Sequence, residues 1–365
     1  MLYPMKLRII YFIILPFVSI NLFAANQAKI EEIAKSCIEK NIASGVVVCA
    51  GDANGNTYTY AVGTTEKGGG YPLTADSIFD IASVSKAVGT ASSLAICKDR
   101  GLINFDEPFT KYLPSYSAKL QTTPTVRQLS MHVSGFAGKP YNDAKNGKDM
   151  LRQSCEFSPP NKPLTKYEYA CWNYILLGQI LENISGRTLK EFASTEIFEP
   201  IGMTSTSFGK PKTKDESRLV KTINTQKAGQ ISDPHAFIIF RDGLCAGNAG
   251  VFSTANDLAK FCRVILNGGI TENGKKIFDK SFIDLTQTSW RDESGVARSF
   301  GWDKSRKSLP TNFSDNSITH SGWSGQSVFI DLERKRYVVV LTVRLSAYAK
   351  SKESRKEIAS LIFED

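Results

Sequence analysis

Strand-like segments sit at the two ends of this chain, and a long helical stretch separates them. Near the N-terminus Ile30, Ile33, Ala34, Cys37 and Ile38 fall on one face of an amphipathic helix. Two strand-like runs follow, 46–50 and 57–62, joined by the turn-rich Gly51-Asp52-Ala53-Asn54-Gly55. From about residue 105 to 269 the texture is helical and loopy, with the clearest helices at 174–184 and 255–266. Strands return at 327–331 and 337–344 around a charged turn at 333–336, and an amphipathic helix over 352–363 closes the chain. The pattern predicts an α/β (α+β) fold in which both termini build one antiparallel sheet flanked by helices. A mainly helical subdomain, roughly 105–269, is inserted into it, and 25–365 is expected to form a single domain. A site is expected in the cleft between the two parts.

The first residues carry Lys6 and Arg8, then an apolar stretch over 9–23, then Ala24-Ala25. That is the layout of a secretory signal peptide over 1–24, which predicts export to the periplasm or beyond. Pro16, Ser19 and Asn21 weaken a membrane-spanning reading. An uncleaved leader is the alternative, and the one route to a membrane. The net charge of +9 reads as a solvated surface that favours anionic envelope polymers. No arginine-rich run interleaved with aromatics points to nucleic acid. The seven cysteines show neither CxxC nor metal-ligand spacing, and no cofactor is expected. Their pairing stays open.

Chemistry concentrates at Ser83-Val84-Ser85-Lys86, which opens a helix carrying Val84, Ala87, Val88, Ala91, Leu94 and Ala95 and ending at Gly101. A lysine three residues beyond a serine lies one turn along on the same face. The serine is a weak nucleophile until a neighbouring base takes its proton. A lysine whose pKa is lowered is one such base. The competing reading is an N-cap serine with a solvated lysine. Two other segments join the argument. Tyr169, just before the apolar 175–178, relays protons if it is aimed at the serine–lysine pair. His320-Ser321-Gly322 precedes a strand, where glycine permits close approach of a substrate backbone. The amide N–H of Trp323 then joins that of Ser83 as an oxyanion hole, and His320 supplies a polar or cationic group. His132 reads as scaffold. The glycine-rich 243–255 lacks a phosphate-loop ending and reads as a tight turn near the cleft, with Ser253 or Thr254 as an N-cap.

In this order the segments resemble the serine β-lactamase-related family, which holds class C β-lactamases, DD-peptidases and related esterases. The resemblance rests on Ile81-Ala82-Ser83-Val84-Ser85-Lys86, on Gly101-Leu102-Ile103-Asn104-Phe105-Asp106-Glu107-Pro108, and on Val126-Arg127-Gln128-Leu129 through Gly135. It continues through Leu176-Leu177-Gly178, Phe198-Glu199-Pro200-Ile201-Gly202-Met203, Phe252-Ser253-Thr254-Ala255 and His320-Ser321-Gly322. It implies that Ser83 is the acylated nucleophile and Lys86 its base partner. Tyr169 then matches the tyrosine of a Tyr-x-Asn element, shuttling the proton to the leaving group and activating water. His320, Ser321 and Gly322 match the Lys/His-Thr/Ser-Gly strand, with no metal. One position departs: the asparagine of Tyr-x-Asn, which contacts substrate in the family, is Cys171 here. Cysteine is a poor hydrogen-bond partner, which costs about 1–3 kcal/mol in binding a penicillin-like substrate. Asn173 is the nearest amide that could compensate.

The resemblance implies an exported serine hydrolase that works through an acyl-enzyme on Ser83. It would cleave small esters, or D-amino-acid amides such as cell-wall peptides. A β-lactamase is one alternative. A penicillin-binding or inactive envelope module with little turnover is another.

Overall fold

The two ends of the chain meet in one sheet in a computed structural model that describes residues 26–138, 143–223 and 227–362. The leader expected over 1–24 lies outside the described residues, as does residue 363 of the expected last helix. The strands are β1 (Ala43–Asp52), β2 (Thr57–Glu66), β3 (Gly69–Pro72), β4 (Phe79–Asp80), β5 (Ser207–Phe208) and β6 (Val251–Ser253). They continue with β7 (Trp290–Arg291), β8 (Ala297–Ser299), β9 (Trp302–Asp303), β10 (Ser317–Gly322), β11 (Gln326–Asp331) and β12 (Arg336–Arg344). Among the described residues the large sheet runs β3-β2-β1-β12-β11-β10-β9-β8-β7, and its pairings are antiparallel. First and last strands pair at its centre, with Val47 opposite Leu341, Val48 opposite Val340 and Cys49 opposite Val339.

The sheet is covered on both faces. Side chains alternate along a strand, so Val47, Cys49, Val339 and Leu341 join the core that also holds the helix Ala255–Leu266. Their neighbours Val46, Val48, Ala50, Val338 and Val340 face the terminal helices Gln27–Glu39 and Tyr348–Leu361. Two buried faces explain why the central strands read as unbroken apolar runs. Each fully buried Val or Leu contributes about 1.5–3 kcal/mol.

The middle of the chain is helical but not wholly so. Its helices include Val126–Ser130, closed at its start by a Thr125–Gln128 capping box, and the apolar Cys171–Ser185. The stretch also supplies β5 and β6, which pair with β4 in a second small sheet. Strands of two or three residues carry no visible alternation, which is why β4 to β9 were not expected. His320-Ser321-Gly322 likewise lies within a strand, β10, where the sequence predicted only the approach to one.

Candidate active site

The small sheet delivers Ser83. β4 pairs with β6, and just beyond it the Ile81 N–H donates to the Val251 carbonyl at 3.0 Å, fixing the chain before the turn. Asp80 is buried, and its carboxylate accepts the Ala82 N–H at 2.9 Å and the Ser232 N–H at 2.6 Å. Burial pushes its pKa up to about 6, against the pull of the hydrogen bonds from Ser232 and Ala82. Ala82 takes a φ of +45°, which costs a residue with a Cβ about 1–2 kcal/mol. The turn thus aims Ser83 outward at a helix start, strained by Ala82 and held by Asp80. The next helical residues, Lys86–Ala91, are wound as a π-helix, a form frequent at functional sites.

Three groups converge on one oxygen. Lys86 Nζ donates to Ser83 Oγ at 3.0 Å and to the Asn248 carbonyl at 2.6 Å. Tyr169 Oη lies 2.8 Å from the same Ser83 oxygen. Ser83 is 8 % exposed, Lys86 is fully buried and Tyr169 is 43 % exposed, so the trio runs from the interior to the mouth of a cleft. Burial works against the Lys86 charge. Its neighbours Tyr169, Cys171 and Asp233 outweigh that penalty and push the Lys86 pKa above its ordinary range. An ammonium has no lone pair with which to accept a proton. That direction runs against the base role expected for Lys86. Lys86 Nζ is 5.1 Å from the Tyr169 ring centre.

His132 holds the tyrosine from below. Its ring packs against the Tyr169 ring at 4.4 Å, tilted by 32°, and it accepts the Ala170 N–H at Nδ1, in keeping with a scaffold role. Burial keeps its pKa well below the usual histidine value. Asn173 is committed to the same scaffold: its Oδ1 accepts from Ser134 Oγ at 2.6 Å and its Nδ2 meets His132 Nδ1 at 3.0 Å. It does not replace the amide missing at Cys171.

β10 forms the opposite wall. A Cβ added to Gly322 would lie 2.7 Å from the Ile81 carbonyl oxygen and 3.1 Å from Ala82 Cβ. The strand therefore rests directly on the nucleophile turn, which brings the backbone leading into Trp323 close to Ser83. Ser83, Tyr169, His320, Ser321 and Trp323 line one cavity of about 300 Å³ together with Tyr167, Arg298, Asp303, Tyr348 and Lys352. Cys171 is not part of that lining; its thiol lies on the Lys86 side.

The charge of the pocket differs from expectation. Burial, with Arg298 and Lys86 nearby, keeps His320 neutral, so the histidine is not the pocket's cation. That role belongs to Arg298 and Lys352, two residues that sequence reading missed. Arg298 is buried beside Asp303 at 3.3 Å, and its Nε and Nη2 make no hydrogen bond among the described residues. Arg298 comes from β8, a three-residue strand with no motif around it. The glycine-rich segment behaves as expected at one end, where Thr254 caps the helix after it by accepting the Asp257 N–H at 3.1 Å. Its other contribution, the Asn248 carbonyl on Lys86, has no sequence signature.

Residues 30–361 match the family model described as Beta-lactamase. A putative D-alanyl-D-alanine carboxypeptidase of Escherichia coli strain K12 is 26 % identical over 306 residues, 74 % of this chain and 69 % of that protein. Among solved structures, EstCE1, a hydrolase with promiscuous acyltransferase activity, superposes with a TM-score of 0.77 at 18 % identity. The match covers 94 % of this chain and 99 % of that one. A β-lactamase/D-alanine carboxypeptidase from Pseudomonas syringae gives 0.75 at 18 % identity, covering 93 % and 98 %.

Proposed function

The chain belongs to the β-lactamase family of serine hydrolases, and on that premise we propose that it cleaves D-amino-acid amides or small esters through an acyl-enzyme on Ser83. One observation carries the reading: Lys86 and Tyr169 both reach the Ser83 oxygen, at 3.0 and 2.8 Å, beside a cavity large enough for a small acyl group. In this account Lys86 stays an ammonium and stabilises the Tyr169 phenolate. The phenolate takes the Ser83 proton as Oγ attacks the substrate carbonyl carbon. The N–H groups of Ser83 and Trp323 hold the resulting oxyanion, a contribution of about 2.7–4 kcal/mol per donor in comparable sites. Tyr169 then passes its proton to the leaving amine or alkoxide as the carbonyl–heteroatom bond breaks. A water next loses its proton to the phenolate and attacks the ester, and the proton returns to Ser83 as the acid departs.

Arg298 and Lys352 at the cavity support a substrate that carries a carboxylate, as the C-terminal residue of a D-amino-acid peptide does. The name of the Escherichia coli relative supports the same substrate class, and the EstCE1 likeness supports acyl transfer on this fold. The basic then apolar N-terminus supports export, where cell-wall peptides are found. The test is Ser83→Ala with a p-nitrophenyl ester and a D-Ala-D-Ala peptide. Both activities should vanish while far-UV circular dichroism is retained, and undiminished turnover overturns the assignment.

A further inference from the structure

Behind Lys86, away from the cavity lining, three side chains of metal-binding type meet although they are far apart in sequence. One ligand atom each from Cys171, Asp233 and His235 lies within 4.8 Å of the other two. Cys171 is the first residue of the helix Cys171–Ser185, and Asp233 and His235 flank the start of the helix Pro234–Arg241. Asp233 Oδ1 and His235 Nδ1 are already 3.7 Å apart. Tetrahedral zinc with ordinary Zn–S, Zn–N and Zn–O bonds sets its ligand atoms roughly 3.3–3.7 Å from one another. Closing the widest gap therefore takes a movement of about 1 Å, within reach of side-chain rotation. Asp233 Oδ1 caps its helix by accepting the Ala236 N–H at 2.8 Å, which leaves the second carboxylate oxygen for a cation.

A second observation points to the same place. The Asn248 side chain is fully buried and hydrogen-bonds the Cys171 sulfur, while its amide oxygen has no hydrogen-bond partner among the described residues. A buried amide left this way costs about 1–3 kcal/mol unless an ion or water completes it. Cys171 and His235 are both partly open to solvent, which gives a cation a way in.

We propose that Cys171, Asp233 and His235 form a binding site for a thiophilic divalent cation, Zn²⁺ being the ion that fits, with the buried Asn248 amide beside the Cys171 sulfur. Thiolate, imidazole and carboxylate together select zinc-like ions over calcium or magnesium. On binding, the Cys171 S–H bond breaks, its proton passes to buffer, and the sulfur forms the bond to zinc with no change of oxidation state. None of the three ligands forms or breaks a bond in the acyl-transfer steps; Cys171 and Asp233 touch them only through the charge of Lys86.

The experiment uses the full chain stripped with a chelator, titrated calorimetrically with ZnCl₂ and spectroscopically with Co²⁺. One saturable equivalent is expected, with about one proton released and a sulfur-to-cobalt charge-transfer band. Cys171→Ser and His235→Ala should each weaken Zn²⁺ binding at least tenfold, and Cys171→Ser should abolish the band. Ser83→Ala should bind as the wild type does, which separates this site from the hydrolase reading. No saturable binding by the wild-type chain, or undiminished binding in both folded ligand variants, overturns the proposal.

Discussion

Tyr169→Phe isolates the atom on which proton transfer turns. The substitution keeps the ring and its 4.4 Å contact with His132, and removes Oη together with its 2.8 Å contact to Ser83. With Tyr169 43 % exposed, the lost hydrogen bond costs the fold about 0.5–1.5 kcal/mol at most. Melting should therefore shift by less than about 5 °C. Catalysis should suffer far more. General acid–base groups contribute about 10²- to 10⁴-fold, or about 2.7–5.4 kcal/mol of transition-state stabilisation. Lys86 cannot take over, because as an ammonium it holds Ser83 Oγ and the Asn248 carbonyl as a donor. Steady-state hydrolysis of a p-nitrophenyl ester, measured beside a melting curve, should show kcat reduced by those factors in a folded protein. A variant within about threefold of wild type would refute the base assignment.

Gly322→Ala places a methyl 2.7 Å from the Ile81 carbonyl oxygen, so either β10 or the nucleophile turn must shift. A 1 Å misplacement costs about 10²-fold, and kcat/KM for the ester should fall at least about tenfold with unchanged circular dichroism; wild-type kinetics would mean that the strand does not bear on the turn. Asp80 titrates at about 6 folded against 3.8 for a free carboxyl. The folded state holds the proton more tightly, so this group's contribution to stability is greatest at low pH and is lost as pH rises from about 4 to 6. Asp80→Asn has no such titration. In urea unfolding at pH 4.5 and 7.5, the gap between wild type and variant should shift by about 2 kcal/mol in favour of wild type at the lower pH. A gap that does not move with pH would refute the raised carboxyl.

The parts of this fold that were legible in the sequence are those with local or periodic signals. Residues 46–50 and 337–344 read as strands because both of their faces are buried. Ser83 and Lys86 announced themselves because one helical turn joins them. Tyr169 could be found because it precedes an apolar helix within a recognisable element. What was hidden depends on three-dimensional company. Arg298 sits on a strand too short to show a period, and its cavity neighbours come from several distant segments. The neutrality of His320 is imposed by burial and by the charges of Arg298 and Lys86, and no motif encodes a field. Lys86 reads as a base because a lone buried lysine loses its proton, and no motif shows that Tyr169, Cys171 and Asp233 beside it push its pKa the other way. Asn173 looked available, but its amide was already spent on Ser134 and His132.

The most direct measurement is the site of covalent modification. The wild-type chain, incubated briefly with an activated ester or a fluorescent penicillin and quenched in acid, should carry one acyl group by intact mass. Peptide mapping should place it on the fragment containing Ser83, and Ser83→Ala should stay unmodified. An acyl group on any other residue, or one that persists in Ser83→Ala, would contradict the account at its centre.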